Sequence, residues 1–173
     1  MAILLIDKDI VATKLQVAIG YDSVEFQTFI NEAQEFDLKP LVEEDFYFDL
    51  LAKKDELTYK KLIDGGSYTF NTRSYSFQGL ATVISYFSYA RFVMNSSAVS
   101  TSHGMVVKTT PNSTPLTLEE RKNFWYKKRE EANLMMIDVV KFIERNISDF
   151  PSWNSSTSCG PNHKYASKTK VIQ

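Results

Sequence analysis

The sequence predicts a mainly α fold, a helical bundle with a long C-terminal helix, a short β-hairpin and an extended β arm. Three observations carry that reading. Apolar residues recur at spacings of three and four through three separate stretches, a capped run from Thr117 meets no glycine or proline until Pro151, and the period drops to two between Ser67 and Phe77. At 173 residues a single domain is the default, and 12 Phe, 9 Tyr and 2 Trp supply ample apolar area for a packed core.

Residues 1–21 read as an N-terminal extension. Its apolar run, Ala2 to Ile6, gives way to Asp7-Lys8-Asp9 and is too short for an export signal or a bilayer span, so neither is expected. Asp22-Ser23-Val24-Glu25 opens the first helix, over 22–37, because an Asp or Ser cap accepts from free backbone N–H groups and a Glu three positions on reaches back. Phe26, Phe29, Ile30, Ala33 and Phe36 form its inward stripe. Pro40 then restarts the chain, since the residue before a proline is uncomfortable in a helix while proline itself suits a first turn. A second helix follows to Ala52, with Leu41, Val42, Phe46, Leu50 and Leu51 inward and Glu43, Glu44 and Asp49 outward. A short third helix, Asp55 to Ile63, ends at Gly65-Gly66, which tolerate the left-handed backbone of a helix stop.

Tyr68, Phe70, Tyr75 and Phe77 alternate with small polar residues about Asn71-Thr72-Arg73, the pattern of a β-hairpin. From Leu80 the helical period returns through Val83, Ile84, Phe87, Arg91 and Met94, a buried central helix with one charge on its apolar stripe. The Ser/Thr-rich stretch that follows, interrupted by Gly104-Met105-Val106-Val107-Lys108, reads as an extended arm at about 97–116. Thr117-Leu118-Glu119-Glu120 is a capping box that permits one helix of about thirty residues, roughly 45 Å long. Its first half is densely charged around Phe124 and Trp125; its second, Ala132 to Ile143, is apolar on nearly every side and should be buried. The tail 151–173 holds too few apolar residues to fold alone.

The net charge of -1 hides a strong polarity. Residues 25–64 carry eleven acids against five bases, residues 65–118 carry three bases and no acid, and the tail carries Lys164, Lys168 and Lys170 with no acid. Such acids can be a solvated helical face, or they can register copies that stack acidic side to basic side. Wholesale binding of nucleic acid is disfavoured by so even a balance.

Reactive constellations are scarce. Both histidines, His103 and His163, lie in Ser/Asn-rich loops, and no serine or cysteine sits in a nucleophile-elbow context. The lone Cys159 cannot form an intramolecular disulfide. Cys159 with His163 supplies two zinc donors where a closed site needs four, leaving His103 and carboxylates to complete one. Gly65-Gly66 lacks a P-loop continuation. No metal and no cofactor is expected. Arg91 should find an acid on another segment in a structural ion pair.

The string Phe26-Gln-Thr-Phe29-Ile30-Asn-Glu-Ala33-Gln-Glu-Phe36-Asp37-Leu38-Lys39-Pro40-Leu41, the helix through Tyr86-Phe87-Ser88-Tyr89-Ala90-Arg91, and His103-Gly104 ahead of the long helix resemble the head-to-tail connector proteins of tailed phages of Bacteroides-type hosts, crAss-like phages among them. The resemblance covers roughly residues 22–150. It implies a helical adaptor domain over 22–150 and a symmetric homo-oligomeric ring, commonly a dodecamer, placed beneath a portal in the virion neck. The partners so implied are further copies, the portal protein and another neck or tail protein, with packaged DNA only passing through the channel and no membrane. The subunit would be made in the host cytoplasm. It implies no catalytic residues.

Within that reading the candidate oligomer or partner interface comprises Tyr68, Phe70, Arg73 and Tyr75 on the hairpin and His103, Met105, Val106, Val107 and Lys108 on the arm. The tail adds Trp153, Tyr165, Lys168 and Lys170. Two other classes stay open: a small DNA-binding regulator reading through Arg121 to Arg129, and a zinc-dependent enzyme using Cys159 and His163.

Overall fold

The computed structural model describes residues 3–17, 22–95, 98–102, 104–107 and 115–154. The fold is mainly α. Helix α1, Lys8–Lys14, is capped by Asp7, whose carboxylate accepts the Ile10 N–H at 2.9 Å. Helix α2, Ser23–Ala33, is capped by Asp22, which accepts from Val24 and Glu25 N–H as its sequence predicts. The segment read as an extension contributes Leu5, Ile6, Val11 and Val17 to the same core as α2. Gln34 fixes it there: its buried amide accepts the Leu5 N–H at 2.7 Å and donates to the Ile3 carbonyl at 3.2 Å, standing in for a neighbouring strand.

The first helix does not stop before Pro40. It widens into a π-helical turn, Gln34–Leu38, in which the Lys39 N–H reaches back five residues to the Gln34 carbonyl, and continues as α3, Lys39–Val42. A proline inside a helix removes one backbone bond and presses its ring on the preceding turn. The widened turn just before Pro40 absorbs that crowding. The break comes instead at Glu43, whose φ of 68° and ψ of 161° lie in a region normally left to glycine, and α4, Glu44–Lys53, starts from it. The single helix expected from Pro40 to Ala52 is therefore two.

Helix α5, Leu57–Asp64, ends at Gly65 with φ 81°. Strands β1, Gly66–Phe70, and β2, Arg73–Phe77, pair antiparallel from Gly66↔Phe77 to Phe70↔Arg73. Asn71 and Thr72 both take positive φ, the two-residue turn that matches strand twist. Helix α6, Gly79–Asn95, is the buried centre. Its buried Thr82, Ser85 and Ser88 hydroxyls each donate to the carbonyl four residues back at 2.7–2.8 Å, so no polar group is stranded. The expected arm contains a second antiparallel pair, β3, Ala98–Thr101, and β4, Gly104–Val107.

Helix α7, Leu118–Arg145, runs 28 residues from a complete Thr117/Glu120 capping box. It packs along α6, with Ala132, Met136, Val139, Phe142 and Ile143 inward. Its second half is not buried all round: Leu134 is exposed, because a helix lying on one neighbour hides only one stripe. Phe142 stacks on Phe77 at 4.3 Å and meets Phe150 at 5.9 Å, joining hairpin, α7 and the chain end in one aromatic cluster.

Candidate interaction surfaces

Tyr68, Phe70 and Tyr75 face inward more than the sequence suggests. Tyr68 is 9% exposed and stacks on Tyr75 at 5.6 Å. Arg145, at the end of α7, donates to the Tyr68 hydroxyl at 2.8 Å, and its guanidinium lies 4.0 Å from the Tyr75 ring centre and 5.2 Å from that of Phe70. The hairpin is thus an aromatic clamp on the C-terminal end of α7. A run of alternating aromatics reads equally well as an outward face; which side is covered is decided by Arg145, far along the chain. Arg73, at the tip, is exposed.

Arg91 finds its acid as expected. Asp37, on the π-helical turn and 2% exposed, accepts from Arg91 Nε at 2.7 Å and from Arg129 Nη1. Glu32 lies 3.3 Å from Arg91 Nη1. The Arg129 guanidinium also covers the rings of Phe87 and Trp125 at 5.3 and 4.8 Å. One buried carboxylate therefore ties the corner of α2 to both α6 and the middle of α7. Asp37 itself carries no separate signal in the sequence, because its partners lie far away in the chain.

The start of the tail is folded back, contrary to the reading of 151–173 as wholly extended. Trp153 is 7% exposed and packs edge-on against Phe46 at 5.0 Å, while the Ser152 hydroxyl donates to Asp49 at 2.7 Å. Asp49 also accepts from Tyr59 at 2.6 Å and pairs with Lys53 at 2.7 Å. Burial opposes its charge, but the hydrogen bonds from Lys53, Tyr59 and Ser152 outweigh burial and hold its carboxyl down at about 2. Trp153 was expected to meet a partner; the apolar pocket over α4 claims it first. Its buried indole N–H has no acceptor among the described residues. On the other side of α4, burial pushes the Tyr47 phenol up to about 12, and its hydroxyl donates to Glu35 at 2.9 Å.

Of the arm residues, Met105 pairs with Ser100 and Val107 with Ala98 in the ladder, and Val106 is exposed. His103, Lys108, Tyr165, Lys168 and Lys170 lie outside the described residues, as do Cys159 and His163. Of the basic residues from Arg121 to Arg129, three are engaged within the chain. Arg121 donates to the Met94 carbonyl, Lys128 pairs with Glu131 and Arg129 holds Asp37, while Lys122 and Lys127 are exposed.

Two surfaces were missed in the sequence. The first is a groove of about 500 Å³ lined by Glu35, Lys39, Pro40, Glu43, Glu44 and Asp45, where α3 turns into α4. Lys39 pairs with Glu44 at 3.0 Å and lies 4.8 Å from the ring centre of Phe48, which is 54% exposed on the rim. Nearby on the π-helical turn Phe36, placed by periodicity on the inward stripe, is 63% exposed; the widened turn shifts the register and brings Asp37 inward in its stead. The second surface is the outer side of α7, where Leu116, Leu118, Phe124 and Tyr126 stand exposed around a smaller groove lined by Glu120, Asn123, Phe124 and Lys127.

Among the described residues no group of three or more His, Cys, Asp or Glu side chains is placed to hold a metal ion, and no helix is long and apolar enough to cross a membrane. Residues 38–163 match a family of unknown function, DUF6712. Neither curated proteins nor solved structures yield a match.

Proposed function

This chain belongs to the DUF6712 family, and we propose that it is a structural subunit of the head-to-tail connector of a tailed phage virion, assembling as a ring between portal and tail. The observation that carries the reading is the outer side of α7. Four large apolar side chains, Leu116, Leu118, Phe124 and Tyr126, stand in solvent along the first half of a helix that is anchored firmly at Asp37. Exposed apolar surface gathered on a rigid element is the usual mark of an interface between proteins.

The charge distribution supports the same reading. A ring subunit meets each neighbour through two different surfaces, so one side must complement the other. The acidic corner at Glu35, Glu43, Glu44 and Asp45 supplies one sign, while residues 65–118, which include both hairpins, contain no acid. Rigid coupling of α2, α6 and α7 through Asp37 suits a part that transmits position and transforms no substrate.

Mass spectrometry of purified particles tests the assignment, followed by electron microscopy of their necks. The expected result is a multicopy ring of this chain at the portal. Its absence from the particle refutes the assignment.

A further inference from the structure

We infer that residues 155–173 of one copy lie in the acidic groove of the next copy, with Lys164, Lys168 and Lys170 against Glu35, Glu43, Glu44 and Asp45. The inference rests on the proposed reading that copies meet side by side, and it names the segment and the seat that join them.

Charge complementarity is the first argument. The groove has four carboxylates against Lys39, whose ammonium is already paired with Glu44. The tail has three lysines and no acid. Exposed Phe48 on the rim offers an aromatic face to Tyr165 or to a lysine stem.

Chain length is the second argument, and it chooses the neighbour over the same copy. Ser152 and Trp153 are held on α4 by Asp49 and Phe46, and Asp45 lies one helical turn before Asp49. The chain therefore leaves within roughly 6 Å of its own groove by helical spacing. Lys164 to Lys170 come ten to sixteen residues after Asn154, a reach of roughly 33–56 Å when extended. A compact domain of this length has a radius of gyration of roughly 16 Å, so that reach spans about one subunit. A seat on the same copy would leave most of the linking segment unused.

The test uses the full chain carrying K164E/K168E/K170E, whose own tail cannot compete, and a fluorescent synthetic peptide of residues 155–173 as the probe. Saturable binding at low salt is expected. It should weaken at least roughly tenfold when the same protein also carries E43K/E44K/D45K, from several exposed ion pairs acting together. Circular dichroism verifies that both proteins are folded. The wild-type chain, diluted to monomer, should bind the peptide as well as the tail-reversed chain does. Absence of saturable binding, or binding indifferent to the groove reversal, overturns the inference. Exclusion of the peptide from wild-type monomer but not from the tail-reversed chain also overturns it, because the tail then sits in its own groove. A ring seen in virions together with any of these negative results removes the tail's seat and leaves the connector reading intact.

Discussion

Replacing Asp37 with asparagine removes one negative charge from between two arginines while keeping the shape of the side chain. Deleting one partner of a buried ion pair costs about 3–5 kcal/mol, because the other is left without compensation. Here the side chains of Arg91 and Arg129 keep 20% and 16% of their exposure, and Arg91 retains Glu32 at 3.3 Å, so the lower end, about 3 kcal/mol, is expected. For a chain of this length that is a fall in Tm of about 6–12 °C. Urea unfolding followed by circular dichroism and by tryptophan fluorescence measures it. Trp125 reports the Arg129 side of the cluster and Trp153 the opposite end of the core. A loss below about 1 kcal/mol with an unchanged denaturant slope would refute the argument that this carboxylate ties three helices together. The triple change D37L/R91M/R129M should recover most of the loss, since no charge is then stranded.

Asp49 makes stability depend on acid. Its carboxyl is held at about 2 against an ordinary value of 3.8, so its contribution is complete above pH 4 and disappears as the pH falls towards 2. By linkage this is worth about 2 kcal/mol, and urea midpoints of Asp49→Asn should be lower at neutral pH and flatter between pH 4 and 2 than those of the parent. Gly79 has φ 76°, and a Cβ there would fall among backbone atoms of Gly65 and Ile63, so Gly79→Ala should cost about 3 kcal/mol or more by the same unfolding assay. Trp153→Ala should cost about 3 kcal/mol and raise hydrogen exchange along α4, where the ring rests on Phe46. Exchange rates unchanged from the parent would mean that the indole does not brace that helix.

Much of the fold is legible locally. The Thr117/Glu120 box, the Asp22 cap, the Gly65 stop and the Asn71-Thr72 turn are each settled by residues within four positions of one another, and each lies where the pattern puts it. Where the pattern misleads, the deciding partner is distant. Gln34 reads as an ordinary surface amide, yet the Leu5 backbone 29 residues away makes it a buried bracket. Asp49 reads as an outward acid until Ser152, 103 residues on, closes over it. Pro40 reads as a helix break, whereas a π-helical turn carries the helix past it and moves the break to Glu43, a residue with no conformational signature of its own. The interface candidates on the hairpin and at Trp153 fail for the same reason, since an aromatic side chain looks alike in a core and on a contact surface until its neighbours are known. The outer side of α7 was half legible: dense charge around Phe124 marked it as projecting, but not which apolar residues stand free.

The attachment of α7 at Arg129 also has a mechanical meaning. The eleven residues from Leu118 to that anchor make a cantilever of roughly 17 Å. Deflection of such a beam grows steeply with distance from its root, so small tilts at Asp37 translate into a few ångströms at the free tip. Mismatch between unequal symmetries above and below a ring can then be taken up as elastic strain at the tips, without loosening the interior from which they spring.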